Sequence, residues 1–184
     1  MEKTLKNKNI LISGVGKGLG LDMLYKCIDN GAFIYGFTRS KDDIKKIKKE
    51  YLKKSKIFVG NASNYNFLKK LFFYFKKNNI YLNGLVNNAG QRQRKPFIDI
   101  TKKDINDIIN INFLSVFLIS QLFVKNSKKE NQDSIVNIGS IVGDKPFSDL
   151  IGYASSKSAI SGFTKSLALE LAERVHVAEY KPRT

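Results

Sequence analysis

The stretch Gly152-Tyr153-Ala154-Ser155-Ser156-Lys157 places a phenol and an ammonium four residues apart among small residues. On a helix those two positions share one face, with Cβ atoms about 5–6 Å apart. A free phenol ionises near pH ~10, too high for ready proton exchange at neutrality, and an adjacent cation favours the phenolate. The pair has the makings of a proton donor and equally those of an ordinary helix surface; the spacing by itself fits both. A second cluster, Gly14-Val15-Gly16-Lys17-Gly18-Leu19-Gly20, follows the strand-like run Asn9-Ile10-Leu11-Ile12-Ser13 and leads at once into a helical pattern. Such a turn lets the backbone approach a diphosphate closely and leaves the N–H groups of the helix start free to bind it. In this position it reads as a dinucleotide site, with Ser13, Gly14, Gly16, Lys17, Gly18, Leu19 and Gly20 as its residues.

Elements that could hold these groups alternate along the chain. Short apolar runs at Asn9–Ser13, Phe33–Phe37, Ile57–Val59, Leu82–Val86 and Ile135–Ile138 are each followed by a helical pattern: Leu19–Ile28, Asp42–Leu52, Asn64–Phe75, Ile105–Val124 and Tyr153–Ala172. That alternation predicts βαβ units and a Rossmann-type, doubly wound parallel α/β sheet. Val175–Ala178 begins a partial sixth strand. With 184 residues, 42% of them hydrophobic, a single domain over residues 1–184 is expected.

Composition narrows the function classes. Thirty-two Lys and Arg against 16 Asp and Glu give a formal net charge of +16, which alone would suggest a nucleic acid or an acidic partner. The lysines, however, are scattered over the solvent faces of nearly every amphipathic segment, as in Lys45-Lys46-Ile47-Lys48-Lys49, so no nucleic-acid site is expected; steering of an acidic carrier or a phosphorylated substrate stays open. One cysteine, Cys27, excludes an internal disulfide and no Cys/His cluster offers a metal site. No apolar leader follows the N-terminus, and the apolar stretch Phe113–Val124 is broken by Ser115, Ser120 and Gln121, short of the ~20 residues a membrane span needs. A cytoplasmic protein without membrane contact is expected.

The type of dinucleotide depends on the end of the second strand, where an acid would bond a ribose 2′-hydroxyl and a base would hold a 2′-phosphate. The residues there are Thr38-Arg39-Ser40. Arg39 can bind phosphate through charge-assisted bonds, Lys17 can add a second cation, and no carboxylate stands at that strand end. NADP(H) is expected over NAD(H).

Taken in order, the Gly14/Gly18/Gly20 turn, Asn87-Asn88-Ala89-Gly90, Asn112, Ser140, and Tyr153 with Lys157 resemble the motifs of the short-chain dehydrogenases/reductases, over Ile10 to about Val177. That resemblance implies ketone–alcohol interconversion by hydride transfer. It gives Tyr153 the role of proton donor, Lys157 that of tuning the phenol and binding the nicotinamide ribose, and Ser140 that of a hydrogen-bond donor to the carbonyl oxygen. Asn112 would hold a water linking Lys157 to solvent; as a polar residue in the apolar run Ile108–Leu114 it also fits a satisfied core amide. Asn61 and Ala62 would border the adenine, with Asn61 where the family commonly has an aspartate. Asn88, Ala89 and Gly90 would shape the pocket behind the nicotinamide or brace the central strands. The substrate would be a small-molecule ketone or alcohol, or one bound to an acyl carrier protein, as in 3-oxoacyl-carrier-protein reductases; Gln91–Phe97 is similar to gluconate 5-dehydrogenase-like members. A homodimer through the long helices is expected.

One departure stands out. Glu179-Tyr180-Lys181-Pro182-Arg183-Thr184 lacks the Pro-Gly turn that the family has there, and no residues follow for a substrate lid or a last strand. The resemblance is therefore to a C-terminally shortened member, and the alternative to an active reductase is a weak or inactive remnant that binds only nucleotide or a partner subunit. His176, the single histidine, reads as a strand or surface residue.

Overall fold

The alternating runs build a six-stranded, all-parallel sheet in the computed structural model, which describes residues 4–127 and 133–182. The strands are β1 (Asn9–Ser13), β2 (Phe33–Thr38), β3 (Ser55–Val59), β4 (Gly84–Asn87), β5 (Asp133–Ile138) and β6 (Val175–Tyr180), in the order β3-β2-β1-β4-β5-β6. From β1 the chain winds outward through β2 to β3, then returns to lay β4 on the other side of β1. The reversal opens a crevice at the carboxyl ends of β1 and β4, the position where doubly wound sheets bind ligands.

Both faces of the sheet are covered, which is why its inner strands read as continuous apolar runs rather than alternating ones. Leu11, Leu85 and Ile135 join one core with Leu68, Leu71, Phe72 and Phe75 of α4 (Tyr65–Lys77) and with Ile119 and Phe123 of α6 (Ser115–Asn126). Ile10, Ile12 and Ile34 join another with Leu24 and Ile28 of α1 (Gly18–Asp29).

Three elements differ from expectation. The helix expected over Asp42–Leu52 is two short ones, α2 (Lys41–Lys45) and α3 (Lys49–Leu52), because Ile47 between them turns into the core at 3% exposure. The helix expected over Ile105–Val124 begins earlier, as α5 (Lys102–Ile109) behind a Thr101/Asp104 capping box, and passes through a π-helical turn at Asn110–Leu114 into α6. The whole run Lys102–Asn126 is long and apolar enough, by length and composition, to cross a membrane, contrary to the shorter stretch read from the sequence. Ile108, Ile111, Val116, Ile119 and Phe123 along it are instead buried in the protein.

The sixth strand is longer than expected. β6 pairs with β5 from Asp133↔Val175 to Ile138↔Tyr180, so Glu179 and Tyr180 lie inside the sheet. His176 is an exposed strand residue. Arg183 and Thr184, which close the stretch without a Pro-Gly turn, lie outside the described residues.

Candidate active site

The turn between β1 and α1 needs its glycines. Gly18 has φ +53°, a region that L side chains rarely adopt, and a Cβ on Gly20 would stand 2.0 Å from the Gly14 carbonyl oxygen. The N–H groups of Gly14 and Val15 both bond to the Phe37 carbonyl at 2.9 and 3.2 Å, anchoring the turn to β2. At the start of α1 no side chain caps the helix and no acid occupies the first turn. Those amides are thus left for an anion.

Ser13 does a different job from the one expected. Its hydroxyl, 1% exposed, accepts the N–H groups of Asn88 and Ala89, both at 2.9 Å. Asn88 answers with its side-chain amide, donating to the carbonyls of Ser13 and Gly14 at 3.0 and 2.9 Å. Ser13 therefore clamps the glycine turn to the segment after β4 rather than facing the cleft, and of the two tasks open to the Asn88 side chain the structure selects the brace.

A cleft of about 250 Å³ runs along the carboxyl ends of the strands, lined by Gly14, Gly16, Lys17, Leu19 and Gly20 of the turn, by Arg39, by Asn61 and Ala62, and by Asn88, Ala89 and Gly90. Three features of its adenosine end matter. Arg39 and Lys17 are exposed cations on its wall. The amide oxygen of Asn61 accepts the Ser63 N–H at 3.1 Å, closing a local turn. A carboxylate does reach this place: the first turn of α2 carries Asp43 to the end of β2, where it accepts the Thr38 hydroxyl at 2.7 Å. The strand end expected to be free of acids is so only at the residues adjacent to β2. The Thr38 hydrogen bond, followed by Lys46 and Lys17, holds the Asp43 carboxyl below its usual range, and Lys46 pairs with it at 3.4 Å.

Tyr153 and Lys157 lie on α7 (Ile151–Glu170), one turn apart on one face, with the ammonium 5.9 Å from the phenol ring centre. Tyr153 is half-buried against Val142, Leu150 and Ala154. Lys157 is 6% exposed and donates to the Ile138 carbonyl at 2.7 Å, at the end of β5. Burial pushes its ammonium down to about 8, with Glu179 acting the other way. Ser140, two residues beyond Ile138 and 5% exposed, accepts the Val142 N–H at 3.2 Å. Ser140 thus caps the turn after β5 as an acceptor, and its hydroxyl proton is still available to donate.

Asn112 sits in the π-helical turn, fully buried. Its amide oxygen accepts the Gln91 N–H at 2.7 Å; its nitrogen donates to the Gln91 carbonyl at 2.9 Å and to Ser156 at 3.0 Å. Ser156 in turn donates to the Tyr153 carbonyl at 2.7 Å. Asn112 is thereby satisfied by protein partners, locking the segment after Gly90 to α7; a widened turn of this kind is frequent at functional sites. Asp104 orders the next residues, accepting Lys95 at 2.7 Å and Gln93 at 3.2 Å. Sequence reasoning missed Ser156, Asp43 and Glu179. An acid in the first turn after β2 was a usable signal for Asp43, whereas nothing in the local sequence pointed to Glu179.

Residues 8–183 match the family model for short chain dehydrogenases. The chain is 30% identical over 171 residues to the 3-oxoacyl-acyl-carrier-protein reductase FabG of Buchnera aphidicola subsp. Schizaphis graminum, covering 92% of this chain and 70% of that protein. It is 28% identical to carbonyl reductase 2 (NADPH) of Sus scrofa, covering 93% and 68%. A short-chain dehydrogenase from Streptomyces avermitilis shares the fold at a TM-score of 0.91 and 20% identity, covering 96% of this chain and 65% of that one. With the family model spanning residues 8–183 and a relative 30% identical over most of both chains, the chain belongs to the short-chain dehydrogenases, oxidoreductases of CH–OH and C=O groups that use NAD(P).

Proposed function

We propose that the chain is an NADP(H)-dependent reductase of ketones, of the kind that takes a 3-oxoacyl group on a carrier protein. The observation that carries this reading is the buried Lys157 ammonium on the Ile138 carbonyl, with Tyr153 on the same helix face and Ser140 two residues beyond that carbonyl. The cleft supports the cofactor: Gly20 lets the turn close tightly on Gly14 and Asn88 beside it, and the first amides of α1 have no cap. Arg39 and Lys17 would hold a 2′-phosphate, while Asp43 is already engaged by Thr38 and Lys46. When bound, a reduced nicotinamide supplies the hydride to the carbonyl carbon. Tyr153 gives the proton to the carbonyl oxygen, Ser140 donates a hydrogen bond where negative charge develops, and Lys157 favours the phenolate that is left.

The FabG relative supports a carrier-bound substrate, and the net charge of +16 would steer an acidic carrier. A homodimer is supported by the apolar groups exposed along the π-helical turn, α6 and α7, with Leu114 42%, Phe117 40% and Leu169 84% exposed; sedimentation as a monomer would remove that part. The half-buried Cys27 fits a reducing cytoplasm. The test of the chemistry is NADPH consumption with a 3-oxoacyl thioester. Tyr153→Phe should abolish nearly all turnover and leave NADPH affinity almost unchanged, because the phenol supplies only the proton. A variant that keeps most of its rate would overturn the assignment.

A further inference from the structure

We infer that Glu179 is a positioning residue for Lys157: its carboxylate, seated between β6 and α7, is the counter-charge that keeps the ammonium charged and braces the Gly139–Ser140 segment from behind. Glu179 pairs in register with Asn137 of β5, so its side chain leaves the sheet on the face that Asn137 uses to reach Thr164 of α7 at 2.9 Å. There it accepts the Ser161 hydroxyl at 2.8 Å, one helical turn after Lys157. The space it fills exists because residue 139 is glycine: a Cβ there would lie 2.0 Å from the Glu179 carboxylate oxygen. A single peptide unit therefore separates the two charges, Lys157 holding the Ile138 carbonyl and Glu179 packed on Gly139.

The surroundings leave Glu179 no rival among the described residues. On its own helix Lys157 faces the Tyr153 phenol. The segment after β4 and the π-helical turn bring Gly90 and the neutral Asn112 amide, and β5 brings the Ile138 carbonyl and the Ser140 hydroxyl beyond it. Glu179 is the one carboxylate acting on the ammonium, opposing the effect of burial. Lys181 lies on the far side, 3.7 Å from the other Glu179 oxygen, and also pairs with Asp144 at 2.5 Å, so the end of β6 is tied to the turn that Ser140 caps. An opposite charge at this range favours the protonated lysine. The functional consequence rests on the role proposed above for Lys157; the electrostatic claim does not.

Two readouts separate these. Glu179→Gln keeps an acceptor for Ser161 and removes the charge; Ser161→Ala keeps the charge and removes the hydrogen bond. The titration of Lys157 is followed by NMR of its side-chain methylene, assigned by its loss in Lys157→Met, and NADPH affinity is measured by fluorescence over the same pH range. The Lys157 midpoint should fall by about half to one pH unit in Glu179→Gln, a three- to tenfold loss of proton affinity, and stay in place in Ser161→Ala. The alkaline loss of NADPH binding should move with it. An unmoved midpoint in Glu179→Gln overturns the inference. A midpoint that moves in a parent chain that does not bind NADPH upholds the counter-charge and overturns the cofactor reading instead. Should Glu179→Gln not fold, Glu179→Ala, which removes the charge together with the acceptor for Ser161, gives the same readout against the Ser161→Ala control.

Discussion

Ser13→Ala tests whether the glycine turn is held in place from behind. The hydroxyl is 1% exposed and accepts two backbone N–H groups, those of Asn88 and Ala89, each at 2.9 Å. Its removal leaves both without that acceptor, at roughly 1–3 kcal/mol for each buried donor; with partial relaxation, a loss of about 2–4 kcal/mol is expected. For a domain of this size ~1 kcal/mol corresponds to about 2–4 °C in Tm, so the fall should be several degrees or more. Asn88→Ala removes two donations, to the Ser13 and Gly14 carbonyls, at about 1 kcal/mol apiece. Because each residue bonds to the other's backbone, the double variant should lose less than the sum of the singles by ~1 kcal/mol. Urea denaturation followed by far-UV circular dichroism measures all four corners of the cycle. NADPH titration should show weaker binding in each variant, since Gly14 loses its fixed placement against Asn88 and Ala89. A Ser13→Ala protein within about 0.5 kcal/mol of the parent, or strict additivity, would refute the clamp.

Lys157→Met should raise stability near neutrality while weakening cofactor binding. Burial pushes the ammonium down to about 8 from 10.5, so between those values the folded chain binds fewer protons than the unfolded one. The lysine's unfavourable contribution is full below about pH 8 and is relieved as the pH rises to 10.5. That relief is on the order of 3 kcal/mol at ~1.4 kcal/mol per unit, less ~1 kcal/mol for the lost bond to Ile138. Urea midpoints should therefore favour the variant at neutral pH and the parent at the alkaline end; an advantage independent of pH would contradict this. At the adenosine end, Arg39→Asp should cost NADPH about ten- to a hundredfold in affinity and reverse the preference over NADH. Equal affinities for the two cofactors in the parent would remove the basis of that claim.

Much of the architecture is legible in the residues themselves, because it follows from local periodicity. β-branched runs alternating with amphipathic helices specify a parallel sheet with both faces covered, and Gly14, Gly18 and Gly20 between a strand and a helix specify the turn, since its positive φ and close backbone approach admit no side chain. Tyr153 and Lys157 share a face by helical geometry alone. The break at Ile47 and the π-helical turn at Asn110–Leu114 were not legible, because each answers to core packing that propensity does not encode.

The environment of each candidate group was decided only by tertiary structure. Ser13 reads as a ligand contact until β4 is placed beside β1, when its hydroxyl proves to be taken up by Asn88 and Ala89. Asn112 reads as a water holder, with a core amide as the alternative, until α7 packs on the π-helical turn and supplies Ser156. Asp43 is one more residue of the helix expected over Asp42–Leu52 until α2 brings it back onto Thr38. Glu179 reads as the residue where a turn was missing until β6 pairs with β5 and carries the carboxylate behind Gly139, toward Lys157. Periodicity along a chain specifies which residues share a face, but a hydrogen bond or a counter-charge depends on the residue brought opposite, which lies tens of positions away and is set by the order of the strands.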